Sequence, residues 1–192
     1  MGEEKQHLYF KNDQEWRLWL NENYNVSTGV YLIFYKVSSN QPSMRWEEAV
    51  RVALCYGWID STVKRLDDER RQQYFCPRKH KSVWSKVNKD HIKDLIEKDL
   101  MHESGLQSIK IAKENGSWTA LDDVENLVIP TDLQLAFNKN QKAFKNYKSF
   151  SRGYRKQYLY WLNQAKRIET REKRIAEIIR LCGLGIKSRN TR

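Results

Sequence analysis

The stretch that decides the fold reads G-V-Y-L-I-F-Y over residues 29–35. Every residue after Gly29 is apolar or aromatic, which is the composition of a β-strand rather than of an amphipathic helix. We expect Gly29 to open the strand. A run without charged residues predicts a central strand that is covered on both faces. The remaining elements are expected to assemble around it.

A hairpin is predicted downstream of this strand. Its two strands occupy residues 58–65 and 70–76, and the turn between them contains Asp67 and Asp68. Pro77 ends the second strand, because proline has no N–H to donate to a strand ladder. Neither strand is strongly apolar, so one face of the hairpin should meet solvent or a ligand.

The pattern around these strands is helical, and after about residue 122 it is helical only. We therefore predict an α+β fold: a small mixed or antiparallel sheet with packed helices, followed by a C-terminal helical subdomain. The division is expected between an α/β part, residues 1–121, and a basic helical subdomain, residues 122–192, packed on it. The side chains expected to dock the second part on the first are Tyr158, Trp161, Leu162, Ile175, Ile178 and Ile179.

The basic charge gathers at the C-terminal end of the chain. Residues 139–192 hold 16 of the 35 Lys and Arg but 3 of the 24 Asp and Glu, a net charge of +13 against −2 for residues 1–138. Such asymmetry indicates a polyanionic or acidic partner, and weak nucleic-acid binding is one form of it. A helical surface rich in Lys and Arg for solubility has the same composition. The candidate polyanion-binding residues are Arg152, Arg155, Lys156, Lys166, Arg171, Lys173 and Arg174.

Features of export and membrane insertion are missing from the sequence. The first ten residues are too charged to act as the apolar core of a signal peptide. The longest apolar run is too short for a bilayer, so no membrane span is expected. The three cysteines, Cys55, Cys76 and Cys182, are far apart and odd in number, which suits reduced thiols. We expect a cytoplasmic protein.

One segment, residues 56–88, concentrates side chains that are typical of recognition sites. An arginine fork, small hydroxyls and an indole face suit a carboxylate, a phosphate or a planar group. The alternative is a structural polar network in which Asp60 pairs with Arg78. The candidate ligand-binding residues are Trp58, Asp60, Arg78, Ser82, Trp84, Ser85 and Asn88.

Catalytic and metal motifs are weak by comparison. Ser61 and Lys64 match the S-x-x-K pattern, but a strand directs them to opposite faces. Cys76 and His80 have no second ligand pair at metal spacing, so neither a metal nor a cofactor is expected. No phosphate-binding or dinucleotide-binding fingerprint is present. Acid–base chemistry at Asp60, His80 or both remains an alternative, with no catalytic residue assigned.

Four segments in order resemble the motifs of one protein family. They read ALCYGWIDS over residues 53–61, FCPRKHKSVWS over 75–85, AKENGSW over 112–118 and AKRIETREKRI over 165–175. They are similar to the signatures A-L-C-F-G-W-I-D-G, F-x-P-R-x-x-x-S-x-W-S, A-K-x-x-G-x-W and A-K-R-x-E-T-R-x-x-R-I of the YdeI/OmpD-associated proteins, also called the bacteriocin-protection family. The chain departs from them mildly, with Tyr56 for Phe and Ser61 for Gly.

The resemblance implies a bacterial protein linked to resistance against bacteriocins or cationic antimicrobial peptides and to envelope stress. It implies no reaction and no catalytic residue. The first expectation is therefore a non-enzymatic intracellular binding protein of stress defence, with a small anionic ligand or an envelope-stress protein as its partner. Nucleic-acid binding through the C-terminal helices and an enzyme that uses Asp60 and His80 are the alternatives. A net charge of +11 opposes direct capture of a cationic peptide.

Overall fold

The structure is a computed structural model, and it describes residues 5–189. The chain divides into two compact units between Thr119 and Ala120. The N-terminal unit is mixed and contains the sheet, whereas the described part of the C-terminal unit is helical. The α+β class is therefore confirmed.

The N-terminal unit combines four strands with four α-helices among its described residues. Its strands are β1 (His7–Tyr9), β2 (Val30–Tyr35), β3 (Trp58–Arg65) and β4 (Arg70–Pro77), and its helices are α1 (Asp13–Asn23), α2 (Trp46–Cys55), α3 (Lys86–Glu97) and α4 (Glu103–Glu114). The strand order is β1-β2-β4-β3. β1 runs parallel to β2, and the pairs β2–β4 and β4–β3 are antiparallel. The sheet is thus mixed.

Strand β2 lies inside the sheet, but its two faces differ. Val30, Leu32 and Phe34 are buried, and the residues between them are half-buried. Both faces are covered, but the second face is covered less completely, by rings on the neighbouring strands. Tyr31, for example, lies 5.0 Å from the ring centre of Tyr74. Tyrosine tolerates this half-exposed position because its hydroxyl stays hydrated while its ring packs.

The core of the N-terminal unit is aromatic. Trp16 of α1, Trp58 of β3 and Phe75 of β4 are at most 1% exposed. Trp16 meets the other two rings edge-to-face at 6.2 and 5.9 Å between centres. Each such side chain contributes about 1.5–3 kcal/mol through burial alone. This cluster holds the start of β3 and the end of β4 in place.

Helices α2 and α4 approach each other closely where two glycines remove side chains. A Cβ on Gly105 would lie 2.1 Å from the carbonyl oxygen of Cys55, and one on Gly57 would lie 3.0 Å from Ser108 Cβ. Gly57 also has φ +73°, the left-handed conformation that ends α2 and starts β3. The end of α2, the beginning of α4 and the beginning of β3 therefore lie close together.

The C-terminal unit is built from short helices around its own core. They are α5 (Asp122–Glu125), α6 (Thr131–Asn138), α7 (Gln141–Ser149), α8 (Arg152–Asn163) and α9 (Ile168–Gly183). Leu133, Phe137 and Tyr147 form this core together with apolar residues of α8 and α9. The six side chains expected to dock on the N-terminal part belong to this core or pack against it. Their helical stripes cover one another.

No helix among residues 5–189 is both long enough and apolar enough to cross a membrane.

Candidate functional site

A cleft of about 290 Å³ opens in the N-terminal unit where the end of α2, the start of β3, the loop after β4 and α4 meet. We call it the Arg78 cleft. The sequence-predicted residues that line it are Trp58, Arg78 and Trp84, and His80 lines it as well. Its volume suits a ligand of few heavy atoms, since sites for drug-sized molecules start at roughly 300 Å³.

Backbone contacts fix the walls of the cleft. The Arg78 N–H donates to the Gly57 carbonyl at 2.9 Å, which ties the loop after β4 to the start of β3. The Trp58 indole N–H donates to the Tyr24 carbonyl at 3.1 Å. The buried indole therefore has its polar edge satisfied and serves as a rigid wall.

Three of the sequence motifs converge here. The carbonyl of His80 accepts hydrogen bonds from Asn115 Nδ2 at 2.7 Å and from Ser117 Oγ at 3.4 Å. Trp84 and Trp118 pack with ring centres 5.1 Å apart. The motif over residues 112–118 therefore supports the loop that carries the motif over residues 75–85.

Arg78 is the chemically unusual group of the cleft. Its guanidinium carbon lies 3.7 Å from the ring centre of Trp84, and Nη1 donates to the Val83 carbonyl at 3.3 Å. Its Nε is buried and has no hydrogen-bond partner among residues 5–189. Burial lowers the pKa of Arg78 to about 10, against the opposing effects of Asp60 and Cys76. Arg78 is thus half-buried and stacked on an indole, and no carboxylate among residues 5–189 neutralises it.

The predicted pairing of Asp60 with Arg78 is not formed among residues 5–189. The Asp60 carboxylate accepts a hydrogen bond from Trp46 Nε1 at 3.0 Å and another from Gln73 Nε2. It lies outside the lining of the Arg78 cleft, whereas His80 belongs to that lining. Asp60 and His80 are therefore not brought together in this cleft as an acid–base pair.

Ser82, Ser85 and Asn88 also lie outside the lining of the cleft. Ser85 is the N-cap of α3, and its Oγ accepts the backbone N–H of Asn88 at 3.2 Å. The backbone N–H of Ser82 donates to the Lys79 carbonyl at 2.9 Å in the preceding turn. Their arrangement shapes the loop and starts the helix.

Sequence reasoning missed the wall supplied by α4. Ser104, Gln107 and Ser108 line the cleft from this helix. Ser104 Oγ also donates to the Tyr56 carbonyl at 3.1 Å. The sequence does contain a signal for this wall. Ser104 and Ser108 are one helical turn apart, and the glycine between them, Gly105, is unfavourable in a helix unless close packing requires it.

Most of the C-terminal candidate residues fall into two groups. The first group forms ion pairs within the unit. Lys156 Nζ lies 2.7 Å from Glu125 Oε2, and Arg171 Nη2 lies 3.0 Å from Asp132 Oδ1. Hydrogen bonding to Arg171 lowers the pKa of Asp132. Arg155 belongs to neither group, because it is half-buried and its buried Nε has no hydrogen-bond partner among residues 5–189.

The second group is more open. Lys166 and Lys173 are exposed. Arg152 is exposed as well but donates to a backbone carbonyl of the unit, and half-buried Arg174 donates to the Trp161 carbonyl. The seven cations therefore do not form one uniform solvent-facing surface.

The thiols and the acidic groups suggest no further chemistry. Cys55, Cys76 and Cys182 are free, and burial raises the pKa of each, that of Cys182 to about 12. These cysteines thus remain protonated thiols near neutral pH. Among residues 5–189, no group of three or more His, Cys, Asp or Glu side chains could hold a metal ion.

Two family models match the chain. One, described as Domain of unknown function (DUF8412), matches residues 8–108. The other, described as Bacteriocin-protection, YdeI or OmpD-Associated, matches residues 126–185 and confirms the resemblance over that range, which contains the motif at 165–175 but not the other three motifs. Comparisons with curated proteins and with solved structures found no match. The Arg78 cleft is built from residues that mostly fall within the first of these matches.

Proposed function

The chain belongs to the family described as Domain of unknown function (DUF8412), and we propose that it is a non-enzymatic binding protein that holds a small anionic ligand in the Arg78 cleft. With a YdeI/OmpD-associated domain at its C-terminal end, it would serve bacterial stress or antimicrobial-peptide protection from the cytoplasm. Binding, rather than catalysis, is favoured because the cleft lacks a paired acid and base.

The observation that carries this proposal is the unpaired state of Arg78. A partly desolvated guanidinium that has no anionic partner among residues 5–189 is costly, and a bound carboxylate or phosphate would supply that partner. The stacking on Trp84 holds the fork in one plane, so that a bidentate contact needs little further ordering. Ser104, Gln107 and Ser108 add polar groups that can fix the orientation of the ligand.

A thermal-shift panel tests the proposal with named anions: inorganic phosphate, sulfate, acetate, succinate and citrate. We expect at least one of them to raise the melting temperature, since a ligand at about 100 times its Kd stabilises by about 2.7 kcal/mol. Arg78→Ala should abolish that shift. Lys93→Ala, which removes a cation that is 80% exposed on α3, should retain it. No stabilisation by any small anion, or an equal shift in both variants, would refute the proposal.

A polyanion surface on the C-terminal unit is the second candidate, and one observation favours it. Lys142, Lys145 and Lys148 recur every third residue along α7, and all three are exposed. Each phosphate contact on duplex DNA lowers log K by about 0.9 per tenfold rise in salt. A variant with all three lysines changed to Gln should lose two to three phosphate contacts, and the salt slope should fall in proportion. Absence of binding at low salt would exclude this candidate.

A further inference from the structure

A second cavity of the N-terminal unit, of about 610 Å³, shares no lining residue with the Arg78 cleft. Its walls come from the ends of β2 and β3, from the start of β4 and from the segment that leads into α2. We call it the Arg71 groove, and the residues that define it are Phe34, Met44, Arg45, Trp46, Val63 and Arg71.

Strand register explains how the groove forms. Phe34 pairs with Arg71 across β2 and β4, and Arg65 pairs with Arg71 across β3 and β4. Directly paired residues of antiparallel strands project to the same face. Arg71 and Arg65 therefore lie beside Phe34 on the same face of the sheet. An irregularity between Asp60 and Val63 shifts the β3 register at this point.

The floor of the groove is apolar and partly open to water. Phe34 and Met44 are each 3% exposed, whereas Trp46 and Val63 are 42% and 54% exposed. The Trp46 indole is held in place by its hydrogen bond to Asp60 at 3.0 Å. Large apolar side chains that are exposed around one cavity are typical of a binding surface. The body of a fitting ligand is therefore apolar.

The rim of the groove is cationic, but its cations are not equivalent. Arg65 pairs with Asp68, and Arg70 pairs with Asp67 at 2.7 Å. Arg45 and Arg71 form no ion pair within residues 5–189, although Arg71 lies over Phe34 with its guanidinium carbon 5.4 Å from the ring centre. Two arginines without an anion therefore stand beside an apolar floor.

We propose that the Arg71 groove binds an amphipathic carboxylate, with the anionic head at Arg45 and Arg71 and an acyl chain over Phe34, Met44 and Trp46. A nucleotide or sugar phosphate fits this groove poorly, because the floor presents few hydrogen-bonding groups. The site is independent of the proposed function of the Arg78 cleft, since the two cavities share no residue.

Calorimetric titration with decanoate, kept below its aggregation threshold, tests this site. Decanol lacks the charge and acetate lacks the chain, so both should bind at least tenfold more weakly than decanoate. Arg71→Ala and Arg45→Ala should each weaken decanoate binding by roughly tenfold to a hundredfold, which is the worth of a hydrogen bond to a charged group. Val63→Asp, at a half-exposed wall position, should weaken it similarly without unfolding the unit.

Matched controls separate this site from its surroundings. Arg65→Ala removes a cation that Asp68 already neutralises, so decanoate affinity should change less than threefold. All titrations are repeated in the Arg78→Ala background, which removes carboxylate binding in the Arg78 cleft and so keeps a failure of this proposal distinct from a failure of the proposed function. In that background, equal losses in Arg71→Ala and Arg65→Ala, acetate binding as tight as decanoate binding, or binding only to phosphatidylglycerol vesicles and not to free decanoate would each overturn the proposal.

Discussion

Arg78 in the cleft and Arg171 in the C-terminal unit are the same residue type in opposite situations. Arg171 faces Asp132 at 3.0 Å, and this hydrogen bond raises the pKa of Arg171. Arg78 stacks on an indole and pairs with no carboxylate in the described part of the chain, and burial lowers its pKa to about 10. A paired cation contributes to the fold, whereas a desolvated and unpaired cation is a preorganised site for an anion.

Net charge alone would have placed the anion-binding site in the C-terminal unit. Residues 139–192 carry the excess of positive charge, but several of the cations chosen there are engaged within the unit. Residues 1–138 are slightly acidic overall, yet they contain the unpaired arginines of both the Arg78 cleft and the Arg71 groove. The local pairing of each cation, rather than the charge of its region, decides where an anion can bind.

The largest effect expected of a single substitution concerns the packing that creates the cleft. Alanine in place of a helical glycine ordinarily stabilises by about 1 kcal/mol. In Gly105→Ala the new Cβ would meet the Cys55 carbonyl oxygen, so we expect a loss of about 3 kcal/mol in unfolding free energy. Gly153→Ala in α8 has no close neighbour and should be neutral or stabilising. Denaturant unfolding of both variants measures the difference, and a stabilised Gly105→Ala would contradict the close crossing of α2 and α4.

Alkaline pH should destabilise the C-terminal unit. Burial raises the pKa of Tyr147 and of Tyr158 from 10.0 to about 12, and that of Cys182 from 9.0 to about 12. The folded state then holds these protons more tightly than the unfolded state, so this stabilisation is complete below the unfolded pKa and is lost as pH rises toward about 12. We expect a loss on the order of 1–2 kcal/mol per group.

The contribution of Arg78 to stability changes with pH in the opposite direction over the same pH range. Its folded-state pKa lies below its ordinary value of 12.5, so its contribution to stability rises with pH between about 10 and 12.5. Hydrogen exchange followed by mass spectrometry from pH 9 upward should report opening of the C-terminal unit first. Earlier loss of protection in the cleft peptides would show that the assigned proton linkage is incorrect.

A smaller effect is expected at the Arg171–Asp132 pair. Both side chains are partly exposed, so Arg171→Ala should lower the unfolding free energy by about 0.5–1 kcal/mol. The pKa of Asp132 should rise toward its ordinary value of 3.8, and NMR titration of the carboxyl group can follow it. In the parent protein the contribution of the pair is present above the unfolded pKa and is lost as pH falls through the folded pKa. An unchanged Asp132 titration would show that the pair does not form in solution.

The fold was largely predictable because its signals are local. The apolar run of β2 and the two segments of the hairpin appear in the composition itself, and their strand assignments are confirmed. The site was predictable only in part. Trp58, Arg78 and Trp84 meet in the cleft, but Ser85 caps a helix, because the hydroxyl that can bind a ligand can equally accept a backbone N–H.

The remaining parts of the site depend on contacts between distant residues. Asp60 turned out to be held by Trp46 and Gln73 rather than by Arg78, and a register irregularity in β3 lies next to it. The α4 wall reaches the cleft because Gly105 packs on Cys55, fifty positions earlier in the chain. Local patterns contain no information on such pairings.

The central claim is that Arg78 serves a ligand rather than the fold, and the stability of Arg78→Met without and with the best small anion tests it most directly. Methionine keeps the apolar contact with Trp84 while it removes the unpaired charge. Without ligand we predict a change within about 1 kcal/mol of the parent, and with ligand we predict complete loss of the thermal shift. A loss of about 3–5 kcal/mol without ligand, the usual cost of breaking a buried ion pair, would contradict the claim and make Arg78 part of a structural network.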